Sequence, residues 1–245
     1  MRVLLFNIWY YFLFCVATLL TVAASTPVIC CVRLAKGQRA ALKAARLAIV
    51  AYGKICIFLT WPFIRLRFSG YTRRPGAEVF ICNHRSSSDP FLMSLFAKEI
   101  IQIVNIWPFK LPILGPVARI SGYLSVRQMP FESFREKAAA LLAEGVSIAA
   151  FPEGTRSRDG RSVGSFHGAI LRVCQETGAP IIPVCIMGNE DKPKRGSILL
   201  QPGLVRVECL PPVTRDMYQD LSPFQLKRLI RGQIIQHLEQ SEGAA

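Results

Sequence analysis

The segment ICNHRSSSDP, residues 81–90, joins an apolar run to the start of a predicted helix. The run Val79–Cys82 is typical of a buried strand. Asp89 and Pro90 favour a helix start, because aspartate caps helix N-termini and proline suits the first turn. Capping leaves unexplained why a histidine follows the strand so closely. In a second interpretation the carboxylate of Asp89 orients the imidazole of His84, which then acts as a base. The spacing alone leaves both interpretations open.

Downstream of about Ala77, short apolar runs alternate with helical patterns, which predicts an α/β fold with helices packed on a sheet. The strands are predicted at Glu78–Cys82, Ile101–Ile106, Tyr123–Val126, Ser147–Phe151 and Ile181–Met187. The helices are predicted at Pro90–Lys98, Leu111–Ile120, Phe131–Ala143, Ser165–Glu176 and Ser222–Gln240. The runs Ser197–Gln201 and Leu204–Leu210, joined by a Pro-Gly pair, predict a hairpin.

Residues 1–66 are predicted to form hydrophobic helices that anchor the chain to a membrane, and residues 67–245 a second, α/β domain. The run Val3–Val32 has thirty residues without a charge, and a bilayer core needs roughly 20. A cleaved signal peptide is the alternative, because the run contains a small-residue Ala-Ala-Ser site. The run is long and aromatic for such a peptide, and a second apolar stretch, Leu47–Ile64, follows it. Lys54 and a proline interrupt that stretch, so an interfacial or re-entrant position is favoured over a span.

The chain is strongly basic, with 30 Lys and Arg against 16 acids and a net charge of +14. Eleven basic residues and no acid precede Glu78. Because these charges flank long apolar stretches, an anionic membrane surface is favoured as the partner over nucleic acid. Nucleic acid is further disfavoured because aromatic residues are not interleaved with the basic ones in the second domain. The positive residues after the first apolar run predict that the rest of the chain faces the cytoplasm.

The eight cysteines show no metal-ligand spacing, and most lie in apolar runs. Free cysteine in such runs behaves as a small hydrophobic residue. A reduced domain is therefore predicted rather than a disulfide framework. No cluster of histidine, cysteine and carboxylate has ligand spacing either, so the sequence predicts no bound metal.

The segment FPEGTRSRDG, residues 151–160, also follows a predicted strand end. It sets Glu153, Gly154, Thr155 and Arg156 on a turn, where glycine lets backbone amides approach a ligand closely. The planar guanidinium of arginine suits phosphate oxygens. An ordinary surface turn is the alternative, and it accounts for the second half of the segment but not for the first.

Together, the block N-H-x-x-x-x-D and the later block F-P-E-G-T-R-S resemble the glycerolipid acyltransferase family, and its bacterial 1-acylglycerol-3-phosphate acyltransferases in particular. The likeness covers roughly residues 67–212. It implies a mixed sheet flanked by helices, like that of glycerol-3-phosphate acyltransferases. It also implies a location at the bacterial inner membrane.

Under this resemblance His84 and Asp89 match the first block of the family. The family's phosphate-binding arginine block corresponds to SGYLSVR, which ends at Arg127, although a serine stands where the family has glycine. Lys110 is the candidate for a lysine that the family often carries before P-x-x-G. The third block is matched by Glu153, Gly154, Thr155 and Arg156.

Two further positions bear on the resemblance. The sequence Ile181–Val184 matches the family's fourth, apolar-proline block. At SFHGA the family often carries lysine or arginine, but this chain has His167. The resemblance therefore does not predict that this segment recognises the acceptor. Whether His167 approaches the head group of the acceptor stays open.

The chemistry that the resemblance implies is transfer of a fatty acyl group from a thioester to the hydroxyl of a membrane lysolipid. The donor would be acyl-coenzyme A or acyl carrier protein, and the acceptor 1-acylglycerol 3-phosphate, giving phosphatidic acid. His84 would deprotonate the hydroxyl, Asp89 would hold the imidazole, and Arg127 and Arg156 would grip the phosphate. No acyl-enzyme and no further cofactor are implied, because there is no G-x-S-x-G motif and the serines at 86–88 lack a separate base.

Several alternatives stay open at this point. The same histidine–aspartate pair would serve acylation of lyso-ornithine lipid, glycerol phosphate or another lysolipid. A non-catalytic adaptor on the membrane surface is the alternative from another class, and the intact acid–base residues weigh against it. The basic loop Asp191–Gly196 is interpreted as a solvated turn or as part of the site, and His237 as a solvated residue of the last helix.

Overall fold

The structure is a computed structural model that describes residues 1–105 and 114–243. Its helices are α1 (Arg2–Phe58), α2 (Asp89–Leu92), α3 (Leu114–Ile120), α4 (Phe131–Ala143), α5 (Ala169–Thr177), α6 (Arg215–Tyr218) and α7 (Pro223–Gly243). Its strands are β1 (Ile64–Ser69), β2 (Val79–Cys82), β3 (Ile100–Ile103), β4 (Ser147–Ala150), β5 (Ile181–Met187) and β6 (Gly203–Cys209). A turn of 3₁₀ helix, Met93–Leu95, follows α2 directly.

The strands form one mixed sheet in the order β1-β6-β5-β2-β4-β3. All neighbours are parallel except β5 and β6, which are antiparallel. The central strands β2, β4 and β5 are fully buried, as expected for strands with helices on both faces. Because β2, β3, β4 and β5 are parallel, the loops after all four leave the same edge of the sheet, which is where α/β proteins bind ligands. The α/β fold and the mixed sheet predicted from the sequence are confirmed.

Helix α1 is bent at Gly37, whose φ of 81° and ψ of −179° are not helical. Two arms fold back on each other, since the Thr18 hydroxyl lies 2.7 Å from the Tyr52 hydroxyl. The second arm packs on the α/β part: a Cβ added at Gly53 would lie 2.8 Å from Cβ of Ser94. Only glycine permits this approach between α1 and the 3₁₀ turn.

The first arm of α1 leaves much of its apolar surface exposed, including Trp9, Phe12, Leu20 and Leu34. Of the helices in the described residues, α1 alone is long and apolar enough to cross a membrane, judged by length and composition. Large exposed apolar surfaces mark contacts with membranes or partners. The predicted hydrophobic helical segment is therefore present as a candidate membrane anchor.

Several predicted elements differ from the structure. The predicted hairpin is wrong: residues 197–201 form no strand, and β6 pairs instead with β1 and β5. The apolar side chain of Leu200 is used to pack on Phe6 and Tyr10 of α1. The predicted strand Tyr123–Val126 is reduced to one parallel bridge, at Leu124. The predicted helix Leu111–Ile120 and the predicted strand Ile101–Ile106 lie partly outside the described residues.

The predicted boundary between residues 66 and 67 falls inside β1, and the division into 1–66 and 67–245 stays a prediction. The cysteines are free thiols; five are buried, and Cys15, Cys30 and Cys31 are exposed. Burial raises the pKa of Cys185 and of Cys209 to about 12. Because the thiolate is the reactive form, these two residues behave as inert core groups.

Candidate active site

His84 lies two residues after the end of β2, at the sheet edge where the parallel strands end. Its Nδ1 is 2.8 Å from Oδ2 of Asp89, the first residue of α2. A proton on Nδ1 is donated to this carboxylate, and Nε2 is then unprotonated and able to accept one. Nε2 makes no hydrogen bond with the described residues, and the side chain keeps 17% of its surface exposed. The pair has the geometry of an oriented general base.

The carboxylate of Asp89 is fully buried and held by several donors. Its Oδ2 also accepts hydrogen bonds from the backbone N–H of Arg85, at 2.7 Å, and of Ser86, at 2.8 Å. Its Oδ1 accepts one from the side-chain amide of Asn189. Donors of this kind compensate the burial of the negative charge. Asp89 therefore stays in one position and fixes the plane of the His84 ring.

Glu153 joins the loop after β4 to the loop after β2. Its Oε1 accepts the backbone N–H of His84 at 2.8 Å, and its Oε2 accepts that of Gly164 at 2.8 Å. Burial raises the pKa of Glu153, and the two amide donors only partly oppose this effect. The backbone N–H of Ser157 also donates to the carbonyl of His84, at 2.8 Å. The two loops therefore position His84 jointly.

Replacing Glu153 by glutamine is expected to destabilise the protein by about 1–3 kcal/mol, because the new amide group faces an N–H donor that it cannot satisfy. Relief of the buried charge acts in the opposite direction but restores no hydrogen bond. The apparent Tm should fall by roughly 2–4 °C per kcal/mol. Glu144→Gln, at an exposed residue just after α4, is the control. Equal Tm values for the two variants would show that Glu153 does not hold the loops together.

The turn Gly154–Arg156 lies beside this pair. Gly154 has a φ of +67°, and an added Cβ would lie 3.3 Å from Cδ2 of His167. His167 therefore packs against the turn. Thr155 is exposed, and the Arg156 guanidinium makes no hydrogen bond or ion pair among the described residues. Such an arginine has its donors free for an anionic ligand.

Arg127 reaches the same edge of the sheet by another route. Leu124 runs parallel to β3 through a bridge with Ile103, so the residues after it leave the sheet where β2 and β4 end. The Asn105 side chain bonds the carbonyl of Gly154 at 3.3 Å, which joins the loop after β3 to the turn that carries Arg156. Arg127 is exposed. Lys110 lies outside the described residues.

The structure adds residues that the sequence did not single out. Asn189, on the loop after β5, bonds both Asp89 and Ser88. The next residues of this loop also hold the segment of residues 84–89, since the Ser86 hydroxyl donates to the Pro193 carbonyl at 3.0 Å. Lys192 is buried. The interpretation of this basic loop as a solvated turn is therefore wrong for its first half.

His237 also differs from its prediction. Its Nε2 lies 2.7 Å from Oε2 of Glu208, so this half-buried side chain hydrogen-bonds the sheet and does not extend freely into solvent. Among residues 1–105 and 114–243 there is no group of three histidine, cysteine or acidic side chains that could hold a metal ion. Independence from metal stays a prediction.

The order of these motifs along the chain is that of a known family. Residues 64–187, just over half of the chain, match the family model described as Acyltransferase. The chain belongs to the acyltransferase family. This confirms the resemblance inferred from the H-x-x-x-x-D and F-P-E-G-T-R blocks, both of which lie inside the matched range.

Individual acyltransferases show the same relationship. The chain is 34% identical over 161 residues to the 1-acyl-sn-glycerol-3-phosphate acyltransferase of Escherichia coli K12, covering 58% of this chain and 59% of that protein. It is 31% identical over 160 residues to a chloroplastic 1-acyl-sn-glycerol-3-phosphate acyltransferase of Arabidopsis thaliana, covering 62% of this chain and 45% of that protein. Each match therefore spans less than two thirds of the relative's length.

A solved structure shares the fold over nearly the whole chain. The crystal structure of the 1-acyl-sn-glycerophosphate acyltransferase PlsC from Thermotoga maritima superimposes with a TM-score of 0.79 at 24% identity. The superposition covers 98% of this chain and 96% of the other. The sheet, its flanking helices and the long N-terminal helix thus form a fold already seen in this acyltransferase.

Proposed function

We propose that the protein transfers a fatty acyl group from a thioester to the sn-2 hydroxyl of 1-acyl-sn-glycerol 3-phosphate, giving phosphatidic acid. The observation that carries the proposal is the pair of His84 Nδ1 and Asp89 Oδ2 at 2.8 Å, beside a turn whose Arg156 guanidinium pairs with no described residue. Family membership and the names of the relatives support the choice of reaction and acceptor.

In this proposal His84 acts as the general base. Nε2 takes the proton of the lysolipid hydroxyl while the hydroxyl oxygen attacks the thioester carbonyl. The tetrahedral intermediate then collapses, the C–S bond breaks, and the proton passes from His84 to the leaving thiolate. Asp89 stabilises the imidazolium between these two transfers, because its charge is buried and fixed. No cofactor takes part besides the acyl donor, either acyl-coenzyme A or acyl carrier protein.

Arg156 and Arg127 are proposed to bind the phosphate of the acceptor. Both follow strands or bridges that end at the edge of the sheet where His84 lies. Glu153 and Gly154 shape the turn that carries Arg156, and Thr155 offers an exposed hydroxyl beside it. Lys110 is proposed as a further phosphate ligand on the strength of the family resemblance alone.

Replacing Arg156 by alanine is expected to raise the KM for lysophosphatidic acid by about 10- to 10²-fold, because a charge-assisted hydrogen bond contributes roughly 1.5–3 kcal/mol. Arg127→Ala should act in the same direction. The matched control is Arg158→Ala, because Arg158 is exposed on the same turn and makes no contact with a described acid. Initial rates at varied acceptor and saturating donor give the constants. An Arg156 variant that behaves like the Arg158 variant would remove Arg156 from the phosphate site.

The site is proposed to work at the cytoplasmic face of the bacterial inner membrane. Phe91, two residues after Asp89, has its ring 6.1 Å from Phe14 on the first arm of α1 and 6.1 Å from Tyr52 on the second. The apolar helix α1 is thus in direct contact with the catalytic segment, residues 84–91. This contact brings a bilayer-held acceptor near His84. Recovery of the protein in inner-membrane vesicles after a carbonate wash tests this location, and recovery in the supernatant would contradict it.

Acceptor choice is tested by offering lysophosphatidic acid, lyso-ornithine lipid and lysophosphatidylethanolamine to the same membranes. Formation of phosphatidic acid alone is the expected result. Product from another acceptor alone would keep the chemistry and overturn the proposed substrate. Parallel assays with acyl-coenzyme A and acyl carrier protein identify the donor.

A further inference from the structure

Arg85, the residue after the proposed base, carries a charge into the interior. Only 1% of its side chain is exposed. A buried charge is costly unless it is paired and hydrogen-bonded. Burial lowers the pKa of Arg85, but pairing with Glu242 and Glu190 more than offsets this, so the pKa is raised and the guanidinium stays charged.

The main partner of this guanidinium is Glu242, near the end of α7. Nη1 and Nη2 of Arg85 bond Oε1 and Oε2 of Glu242, so the pair is bidentate. Two weaker contacts add to this pair: Glu190 at 3.5 Å and the carbonyl of Arg161 at 3.4 Å, while Nε of Arg85 has no hydrogen-bond partner among the described residues. A bidentate pair fixes both the position and the orientation of the arginine.

The backbone of Arg85 belongs to the catalytic segment. Its N–H and that of Ser86 both donate to Oδ2 of Asp89, the oxygen that also bonds His84. Where the guanidinium is held, these two amides are held as well. The side chain of Arg85 is therefore linked through its own backbone to two of the hydrogen bonds that hold the Asp89 carboxylate.

The end of α7 is itself firmly placed. Leu238 is buried, as are three earlier apolar residues of the helix. His237 bonds Glu208, and Arg206 donates to the Ser241 carbonyl at 3.2 Å. Glu242 is thus presented to Arg85 by a helix that is anchored on the sheet.

We propose that Glu242 is a positioning residue for acyl transfer: through Arg85 it holds the backbone amides of residues 85 and 86 on the Asp89 carboxylate and so keeps His84 in its reactive orientation. The proposal rests on the proposed function, because the reaction is its main readout. It makes the last turn of α7 part of the catalytic unit, although this turn follows the H-x-x-x-x-D block by about 150 residues.

The first test is Glu242→Gln, which keeps the shape of the side chain and removes its charge. We expect kcat to fall on the order of 10- to 10²-fold, as for small misplacements of catalytic groups, with the KM for the lysolipid unchanged. Glu239→Gln, at an exposed residue one turn earlier on the same helix, should match wild type. Equal kcat values for the two variants would overturn the proposal.

A double-mutant cycle shows whether Glu242 acts through Arg85. Arg85→Met keeps the volume of the buried side chain and should itself lower kcat. In that background Glu242→Gln is expected to cause no further loss. A second loss of the same size would mean that Glu242 acts independently of Arg85, and the proposal would fail.

A readout that needs no activity separates this proposal from the proposed function. In wild type the Nδ1–H proton of His84, bonded to a carboxylate, should give a downfield proton resonance. Glu242→Gln is expected to shift or broaden this resonance, and Glu239→Gln to leave it unchanged. If wild type acylates no lysolipid, the proposed function fails, and the resonance still decides whether Glu242 positions His84. An unchanged resonance in Glu242→Gln would overturn the positioning role.

Discussion

Replacing His84 by alanine is expected to lower acyl transfer by about 10²–10⁴-fold, the usual contribution of a positioned general base. The loss should fall on kcat, because alanine removes the proton acceptor and leaves the candidate phosphate ligands in place. The measurement is the rate of phosphatidic acid formation from lysophosphatidic acid in membranes that hold equal amounts of wild type and variant. His84 keeps 17% of its side chain exposed and packs on Phe151, so its removal should leave the fold intact.

The matched control for this experiment is Ser87→Ala in the same loop. Ser87 is half-buried, and its hydroxyl makes no hydrogen bond with a described residue. It should keep wild-type activity, which also tests the expectation that Ser87 forms no acyl-enzyme. A His84→Ala variant as active as wild type on every acceptor would show that His84 is not the general base. Loss of activity in Ser87→Ala alone would instead indicate a serine nucleophile.

His84, Asp89 and the turn at Gly154 could be proposed from the sequence, because each belongs to a short motif next to a predicted strand. His84 closely follows a strand, and Asp89 lies five residues later at a helix start, so a short loop can bring the imidazole and the carboxylate together. The turn at Gly154 follows a parallel neighbour of that strand, so the two blocks meet at one sheet edge. The spacing suggests the contact between His84 and Asp89 but leaves its role open, and the resemblance to the acyltransferase family is what assigns the two blocks to one site.

The remaining part of the site depends on long-range contacts, which leave no local pattern. Asn189 bonds Asp89 from 100 residues away in sequence, and Glu242 bonds Arg85 from 157 residues away. Nothing in the sequence around Asn189 or Glu242 marks them as partners of this segment. The run around Leu200 is misleading for the same reason. Its apolar residues fit a strand, but Asn7 of α1 bonds both the N–H and the carbonyl of Leu200 and so occupies its backbone.

Replacing Asp89 by asparagine is expected to reduce kcat by a similar 10²–10⁴-fold, although the change is nearly isosteric. The carboxylate accepts three hydrogen bonds at Oδ2 and one, from Asn189, at Oδ1. An amide can accept at only one of these atoms. If its oxygen faces His84, its NH₂ group opposes the donor of Asn189, and the imidazolium loses its counter-charge.

If the amide is turned the other way, its NH₂ group faces His84 and forces the proton of the ring onto Nε2, which then cannot accept one. Both orientations disable the base, and each leaves at least one buried donor unpaired, at a cost of about 1–3 kcal/mol. The apparent Tm should therefore fall by several degrees, at roughly 2–4 °C per kcal/mol. Asp220→Asn, at an exposed residue before α7, is the control for both measurements.

The double variant of His84→Ala and Asp89→Asn decides what the aspartate does. If Asp89 acts only by orienting and stabilising the imidazole, then it has nothing to act on once His84 is gone. The double variant should lose no more activity than His84→Ala alone, as for residues that work as one unit. If the loss in the double variant equals the product of the two single losses, then the Asp89 carboxylate, or the loop that it holds, also contributes to the reaction without His84. The buried hydrogen bonds favour the first outcome, because among the described residues each donor to the Asp89 carboxylate is His84 itself or a group that holds the His84–Asp89 segment in place.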